Sequence, residues 1–265
     1  MNRIRKTFEA LKVSGGKALV PYITPEYPFK GMTTQLLQTL EKAGADLIEV
    51  GIPFSDPLAD GETIQHSSEI AIRNGATIET ILKSVSEFRR TSQLPIVLMG
   101  YINPIFHLRY DNFLAACKAA GVDGVIVPDL PPEESSDFVV ASELCGVSNI
   151  FLIAPTSDEA RIREIDELST DFSYCVSLTG VTGSRAQLGN SGELDSFLAR
   201  VKENTTKPFV VGFGISRPEH VQHVLKYADG AVVGSSLINA MGKAGSQNDA
   251  LNAASLFFRS LRSPT

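Results

Sequence analysis

Short apolar runs rich in β-branched residues alternate with longer segments of helical periodicity along the whole chain of 265 residues. A run such as Val125-Ile126-Val127 is apolar throughout, which is typical of a strand that helices cover on both faces of a parallel sheet. The runs begin roughly 30 residues apart, the length of one βα unit. Eight such units in a chain of this size predict a single-domain α/β protein, a (β/α)₈ TIM barrel over residues 1–265. The predicted strands are Ala18–Ile23, Asp46–Gly51, Pro95–Gly100, Gly124–Val127, Ile150–Ala154, Tyr174–Leu178, Phe209–Val211 and Gly230–Val233.

Two helices are predicted in addition to the regular units. Ile4, Phe8 and Leu11 lie at helical spacing, and they predict an extra N-terminal helix that docks on the barrel. The long interval after the second strand holds two helical patterns, Thr63–Arg73 and Ile78–Arg89, so it contains one extra helix. A doubly wound open sheet is the alternative architecture, but its glycine-rich turn after the first strand is absent.

The composition argues against several classes of partner. The formal net charge is −6, and basic residues occur only in small groups, so nucleic acid binding is not expected. The three cysteines form no Cys-x-x-Cys pair, which argues against a disulfide or zinc framework and favours a cytoplasmic location. No apolar stretch reaches the ~18 residues of a membrane span, so no membrane association is expected.

Glu49 is the single residue that points most strongly to chemistry. Side chains alternate along a strand, so Glu49 lies on the face opposite Ile48 and Val50. If the β-branched face meets the outer helices, the carboxyl points into the barrel near its C-terminal mouth, where barrel enzymes have their active sites. The alternative is a structural ion pair with a buried cation, although no Lys or Arg lies inside a predicted strand.

A second carboxyl group, that of Asp60, follows the same strand and directly precedes a predicted helix. It is a candidate partner for Glu49 in an acid–base or charge-stabilising pair. A helix N-cap or turn role is the alternative, and spacing alone favours that alternative. Asp56, which precedes Pro57, is more turn-like still.

Glycine-rich turns follow the last three predicted strands and suggest an anion site. Glycine lets backbone N–H groups approach a phosphate closely. Tyr22, Tyr101 and Tyr174 lie at or near strand ends and suggest a pocket for an aromatic ligand. The three turns are Thr179–Ser184, Gly212–Ser216 and Gly234–Ser236.

The histidines and serines carry no recognisable catalytic motif. No two histidines lie four residues apart, and His220 and His223 are interpreted as solvent-facing helix positions rather than as metal ligands. No Gly-x-Ser-x-Gly elbow and no Walker-type loop occurs in the chain. The sequence therefore predicts no metal site.

The segment Leu47–Gly61, which reads LIEVGIPFSDPLADG, closely resembles the signature of the tryptophan synthase alpha chain family. Supporting stretches follow in family order at Met99–Pro104, Val127–Ser135, Gly180–Gly183 and Gly212–Ser216. The resemblance implies a lyase of tryptophan biosynthesis that cleaves indole-3-glycerol phosphate to indole and glyceraldehyde 3-phosphate. It also implies an α₂β₂ complex in which indole passes to a beta chain. Pyridoxal phosphate would belong to that beta chain, with no cofactor on this one.

The same resemblance implies residue roles. Glu49 would carry out the proton transfers, and Asp60 would accept a hydrogen bond from the indole N–H and stabilise positive charge on the ring. The implied pocket residues are Tyr22, Met99, Tyr101, Ile126, Tyr174, Thr182, Phe213 and Val232. Phosphate binding is implied for Gly183, Gly214, Gly234 and Ser235. Contact with the beta chain is implied for Pro53, Asp56, Pro131 and Pro132.

Two positions depart from the family pattern. Members often have Gly-Asp-Pro after the first strand, where this chain has Pro25-Glu26-Tyr27-Pro28, and Leu178 stands where many members have Arg. Two other functions remain open on the sequence. One is a different phosphate-binding barrel enzyme, such as a phosphosugar isomerase or indole-3-glycerol phosphate synthase. The other is a non-catalytic activator of a beta chain.

Overall fold

The computed structural model describes residues 2–176, 191–212 and 214–262. Its parallel strands form one sheet in the order β5-β4-β3-β2-β1-β9-β8-β7-β6. Because β5 and β6 are consecutive in the chain and lie at the two ends of this order, the sheet curls into a barrel, as predicted. The strands are β1 (Ala18–Ile23), β2 (Ile48–Gly51), β3 (Ile96–Met99), β4 (Gly124–Ile126), β5 (Ser148–Ile150), β6 (Leu152–Ile153), β7 (Ser173–Val176), β8 (Phe209–Gly212) and β9 (Gly230–Val233).

The fifth predicted strand differs most from the observed one. It begins at Ser148 rather than at Ile150 and is interrupted at Phe151, which yields β5 and β6. The break occurs where the backbone N–H of Phe151 donates to Ser169 Oγ, at 3.1 Å, instead of to a neighbouring strand. Ser148 and Asn149 are polar, so the apolar run that predicted this strand did not include them. Both are buried, and both form side-chain hydrogen bonds.

Helices surround the barrel and cover the outer face of its sheet. The extra N-terminal helix and the extra helix after β2 are both confirmed. An additional short helix, α5, precedes α6 in the β3–β4 connection. The helices are α1 (Arg3–Ser14), α2 (Thr33–Lys42), α3 (Glu62–Arg73), α4 (Ile78–Phe88), α5 (Ile102–Leu108), α6 (Tyr110–Ala120), α7 (Ser136–Cys145), α8 (Glu159–Leu168), α9 (Ser191–Asn204), α10 (Pro218–Val224), α11 (Ser235–Met241) and α12 (Gln247–Ser260).

Helix α1 closes the N-terminal end of the barrel. Its Ile4 and Phe8 are buried and belong to the apolar cluster that fills the barrel interior. The rings of Phe8 and Phe172 have centroids 5.5 Å apart. Arg3 forms an ion pair with Asp123, and Arg5 binds Asp171 in the same way at 3.0 Å. Access to the interior is therefore from the opposite, C-terminal end.

The segment after β1 has a defined geometry although it lacks the family's glycine. Glu26 has a φ of 59°, in the left-handed region that side chains other than glycine rarely adopt. Its carboxylate accepts hydrogen bonds from Thr33 Oγ1, at 2.6 Å, and from the backbone N–H of Gly31. Asn74, which follows α3, donates its side-chain N–H to the Glu26 carbonyl at 2.8 Å. These bonds stabilise the unusual backbone conformation.

No helix among residues 2–176, 191–212 and 214–262 is long and apolar enough to cross a membrane.

Candidate active site

Glu49 lies in the middle of β2, in register with Tyr22 of β1 and Val97 of β3. Its side chain points into the barrel, as the alternation predicted, and only 2% of the residue is exposed. It lines an interior pocket together with apolar side chains. No cation accounts for its burial in the described part of the chain, and Glu49 Oε1 has no hydrogen-bond partner there. The pocket is lined by Val20, Leu47, Glu49, Val97, Ile126, Phe172, Tyr174, Val210 and Val232.

The environment of Glu49 favours the protonated carboxylic acid. Burial raises its pKa to about 8, and the negative charge of Asp60 acts in the same direction. Hydrogen bonding to the Tyr174 hydroxyl partly offsets this rise. At neutral pH the side chain is therefore mostly a neutral acid with a proton to give.

Asp60 lies at the end of the loop that follows β2. The N-cap of α3 is Gly61, which leaves the Asp60 side chain free of the capping role that was its alternative interpretation. The backbone N–H of Asp60 donates to the Pro57 carbonyl at 3.1 Å and closes a turn. Burial raises the pKa of Asp60 to about 6, and hydrogen bonding to Tyr101 limits the rise. The Asp60 carboxyl is therefore mostly ionised at neutral pH.

Tyr101 fixes the loop that carries Asp60. Its hydroxyl accepts a hydrogen bond from the backbone N–H of Ala59 at 2.9 Å. The ring also stacks at a tilt on Phe54, with centroids 5.6 Å apart. A residue from the end of β3 thus holds both sides of the β2–α3 loop.

The other two predicted tyrosines occupy the space above glycines of adjacent strands. The Tyr22 hydroxyl lies where a side chain on Gly51 would be, and the Tyr174 hydroxyl lies where one on Gly212 would be. A methyl group at either glycine would overlap the phenol. Each ring thereby reaches the region of Glu49, whose charge contributes to raising the pKa of both hydroxyls.

The structure describes most of the remaining predicted pocket and phosphate residues. Ile126 and Val232 line the pocket beside Glu49, and Met99 packs against the same interior cluster. Gly234 lies at the end of β9, where an added Cβ would be 3.4 Å from Tyr22, and it directly precedes Ser235, the first residue of α11. Gly214 is exposed after β8. The predicted turn Thr179–Ser184, with Thr182 and Gly183, lies outside the described residues, as do Leu178 and Phe213.

The residues predicted to face a partner surround the mouth of the barrel. Asp56 and Pro131 are exposed, whereas Pro53 and Pro132 are half-buried. All four follow the C-terminal ends of strands β2 and β4. Three large apolar side chains are exposed nearby: Leu58 in the β2–α3 loop, and Phe106 and Leu108 on α5. Their exposure could not be predicted from the sequence, because it depends on how the closed barrel packs.

The structure contradicts the solvent-facing interpretation of His220. Its ring is buried, with 8% of the residue exposed, and it contacts the loop before α10. His223 is half-buried, and its Nε2 lies 2.8 Å from Asp195 Oδ1 of α9. Within the described ranges, no cluster of three or more His, Cys, Asp or Glu residues is arranged to hold a metal ion.

The fold and the site together define a class of protein, a (β/α)₈-barrel enzyme with two carboxyl groups of raised pKa in and above its interior. The model of one family, described as tryptophan synthase alpha chain, matches residues 8–262. The chain belongs to the tryptophan synthase alpha chain family. It is therefore a lyase of tryptophan biosynthesis, of the type that cleaves indole-3-glycerol phosphate.

Individual relatives agree with this assignment. A tryptophan synthase alpha chain from Geotalea daltonii is 49% identical, over 90% of this chain and 89% of the relative. One from Chlorobium chlorochromatii is 43% identical, over 98% and 99%. The crystal structure of the alpha subunit from Legionella pneumophila is similar with a TM-score of 0.91 and 38% identity, and the match covers 99% of this chain and 97% of that one. A chain from a structure of the Pyrococcus furiosus tryptophan synthase a2b2 complex has a TM-score of 0.85 and 40% identity, with coverage of 92% and 97%.

Proposed function

We propose that Glu49 is the general acid and base of a retro-aldol cleavage of indole-3-glycerol phosphate, and that Asp60 is its electrostatic partner. One observation carries the proposal. Two carboxyl groups at the same mouth have different pKa values, about 8 for Glu49 and about 6 for Asp60. At pH 7 one is mostly a neutral acid and the other mostly an anion, which is the pattern that acid–base catalysis requires.

The reaction needs two proton transfers, and one residue can perform both. Glu49 gives its proton to indole C3, which turns the ring into an indolenine and makes the adjoining C–C bond breakable. The resulting Glu49 carboxylate then takes the proton of the substrate's 3′-hydroxyl as the carbonyl of glyceraldehyde 3-phosphate forms. The electrons of the broken C–C bond return to the ring and regenerate indole. Glu49 ends the cycle protonated, so no net proton is consumed.

Asp60 supports the step in which the ring carries positive charge. Protonation at C3 leaves that charge delocalised toward the indole nitrogen. An ionised Asp60 accepts the hydrogen bond of the indole N–H and stabilises the charge as it develops. Tyr101 and the turn at Pro57 restrain this carboxylate before substrate arrives, so little reorganisation is needed.

The pocket around these groups suits the two ends of the substrate. Apolar and tyrosine side chains enclose the indole ring, while Gly214, Gly234 and Ser235 supply backbone N–H and hydroxyl donors to the phosphate. By resemblance to the family we also assign Gly183 to the phosphate and Thr182 and Phe213 to the substrate, three residues that lie outside the described part of the chain. Met99 packs against the interior cluster beside the pocket. This division places the phosphate on the β8 and β9 side of the mouth and the acids on the β2 side.

The chain acts with a beta chain that holds pyridoxal phosphate, in an α₂β₂ complex located in the cytoplasm. The loops with Pro53, Asp56, Pro131 and Pro132 face that partner. Two large apolar side chains are exposed after the C-terminal ends of β2 and β3, Leu58 in the β2–α3 loop and Phe106 on α5, and they support the assignment. This chain needs no cofactor of its own for the retro-aldol step, since acid–base chemistry suffices.

A coupled assay for glyceraldehyde 3-phosphate tests the proposal, with indole-3-glycerol phosphate as substrate and the beta chain either present or absent. We expect turnover in both cases and faster turnover with the partner. Stimulation of the beta chain without any glyceraldehyde 3-phosphate would instead identify a non-catalytic activator. Absence of both effects would favour a different phosphate-binding barrel enzyme.

A further inference from the structure

We propose that His220 is a positioning residue that holds the loop after β8 in the conformation that receives the substrate phosphate. The inference rests on the proposed function, in which the Gly214 backbone N–H is a phosphate donor. His220 is not itself in contact with substrate. It acts through residues 214–217, which directly precede α10.

The buried ring of His220 contacts two residues of this loop, one with each nitrogen. Nδ1 lies 3.4 Å from Ser216 Oγ, and Nε2 lies 3.2 Å from a terminal guanidinium nitrogen of Arg217. The backbone of Gly214 lies close enough to act on the pKa of the ring, which adds a third neighbour from the same loop. One imidazole thus joins the glycine, the serine and the arginine of a single short connection.

The chemistry of Arg217 determines which ring nitrogen carries the proton. A guanidinium has only donors, so Nε2 must accept from it. The neutral ring then bears its proton on Nδ1, the nitrogen that faces Ser216 Oγ. Burial and the positive charge of Arg217 lower the pKa of His220, which keeps the ring in this neutral form. The position of residue 220 therefore requires one side chain that donates toward Ser216 and accepts from Arg217.

Ile215 anchors this loop in the apolar core, but the glycine before it has no side chain to pack. Gly214 is exposed, and glycine leaves the backbone free to adopt many conformations. Backbone N–H groups bind a phosphate well only when they already point toward it. His220 holds the loop from α10, so we expect it to orient the Gly214 N–H toward the phosphate without contacting the phosphate itself.

Three variants separate positioning from general stability. His220→Ala removes both contacts, His220→Gln keeps one donor and one acceptor in a side chain of similar reach, and Ser216→Ala removes only the hydroxyl. His223→Gln is the matched control, because His223 lies on the same helix but pairs with Asp195 of α9. Thermal unfolding of each variant identifies any loss of fold.

The measurement is the steady-state kinetics of indole-3-glycerol phosphate cleavage by the full chain with its beta chain, together with product binding. For His220→Ala we expect KM to rise about tenfold, the effect of losing about 1.4 kcal/mol of hydrogen bonding, with kcat changed less than about threefold. Binding of glyceraldehyde 3-phosphate should weaken in parallel, while binding of indole stays unchanged. His220→Gln and His223→Gln should remain within about twofold of wild type, and Ser216→Ala should be intermediate.

Several results would overturn the inference. An unchanged KM in His220→Ala, or a fall in kcat alone, would mean that the ring does not act through phosphate binding. Equal impairment of His220→Gln and His220→Ala would show that the hydrogen bonds are not what matters. If His220→Ala does not fold, Ser216→Ala and His220→Gln decide the question by the same criteria. A wild-type chain without turnover would refute the proposed function itself, and the inference with it.

Discussion

At the scale of single residues, the important property is that two similar carboxyl groups differ in charge state. Glu49 lies inside the barrel among apolar side chains, and Asp60 lies on a half-buried turn beside a tyrosine hydroxyl. Desolvation disfavours the ionised form of both, but more strongly for the one with the lower exposure to water. The difference makes one a donor of protons and the other a source of negative charge.

Replacing Glu49 with Gln tests the first of these roles. The amide keeps the size of the side chain but cannot exchange protons at neutral pH. We expect kcat to fall by a factor of about 10² to 10⁴, the usual contribution of a general acid or base. Near-normal turnover in the coupled assay, from a variant with an unaltered circular dichroism spectrum, would refute the assignment.

Replacing Asp60 with Asn tests the second role. The loss of a restrained negative charge near the developing cation should reduce kcat at least about a hundredfold. Glu62→Gln is the matched control, since it removes an exposed carboxylate two residues further along the same connection and should change kcat less than about twofold. A wild-type rate in Asp60→Asn would show that Asp60 only shapes the turn.

At the scale of elements, the strands contribute glycines as well as side chains. Gly51 follows Glu49 by two residues on β2, so both face the interior, and the Tyr22 phenol of β1 fills the space above the glycine. A methyl group there would push the ring toward Glu49 or out of the pocket. Close packing makes such overlaps expensive because the interior has few voids.

We therefore expect Gly51→Ala to lower the free energy of unfolding by about 1–3 kcal/mol and to raise KM for indole-3-glycerol phosphate. Gly245→Ala provides the control, because no atom lies within 4 Å of the position its methyl group would take. Urea unfolding monitored by circular dichroism measures the difference. Equal stability of the two variants would show that the Tyr22 ring relaxes without penalty.

The elements also show how far sequence reasoning reaches. Alternation along β2 predicted the direction of Glu49, and runs of apolar residues predicted the barrel strands, because both patterns reflect burial directly. The start of β5 at Ser148 was missed, since its buried polar groups are satisfied by partners distant in sequence. The burial of His220 and the pairing of Tyr22 with Gly51 were missed for a related reason. Each depends on neighbours that only the closed barrel brings together.

At the scale of the whole molecule, the two carboxyl groups should determine the pH dependence of catalysis. Asp60 must be ionised, so activity should rise as pH increases through about 6, and Glu49 must be protonated, so activity should fall above about 8. We expect a bell-shaped profile of kcat/KM with its maximum between these values. The remaining kcat/KM of Asp60→Asn should no longer show the rise near pH 6 that ionisation of Asp60 causes in the wild type. If kcat/KM at pH 9 were as high as at pH 7, the proposed role of Glu49 would be contradicted.

The closure of one barrel end by α1 has a further consequence for the order of events. Helix α1 closes the N-terminal end of the barrel with Ile4, Phe8 and the ion pairs of Arg3 and Arg5. A product formed beside Glu49 therefore leaves across the C-terminal rim, through which the substrate entered. Within the described part of the chain, substrate entry and product exit therefore share the C-terminal rim, and a partner bound to that rim would control how fast a product leaves. The time that a product stays bound thus depends on the rim and on the partner that covers it, rather than on the catalytic step at Glu49.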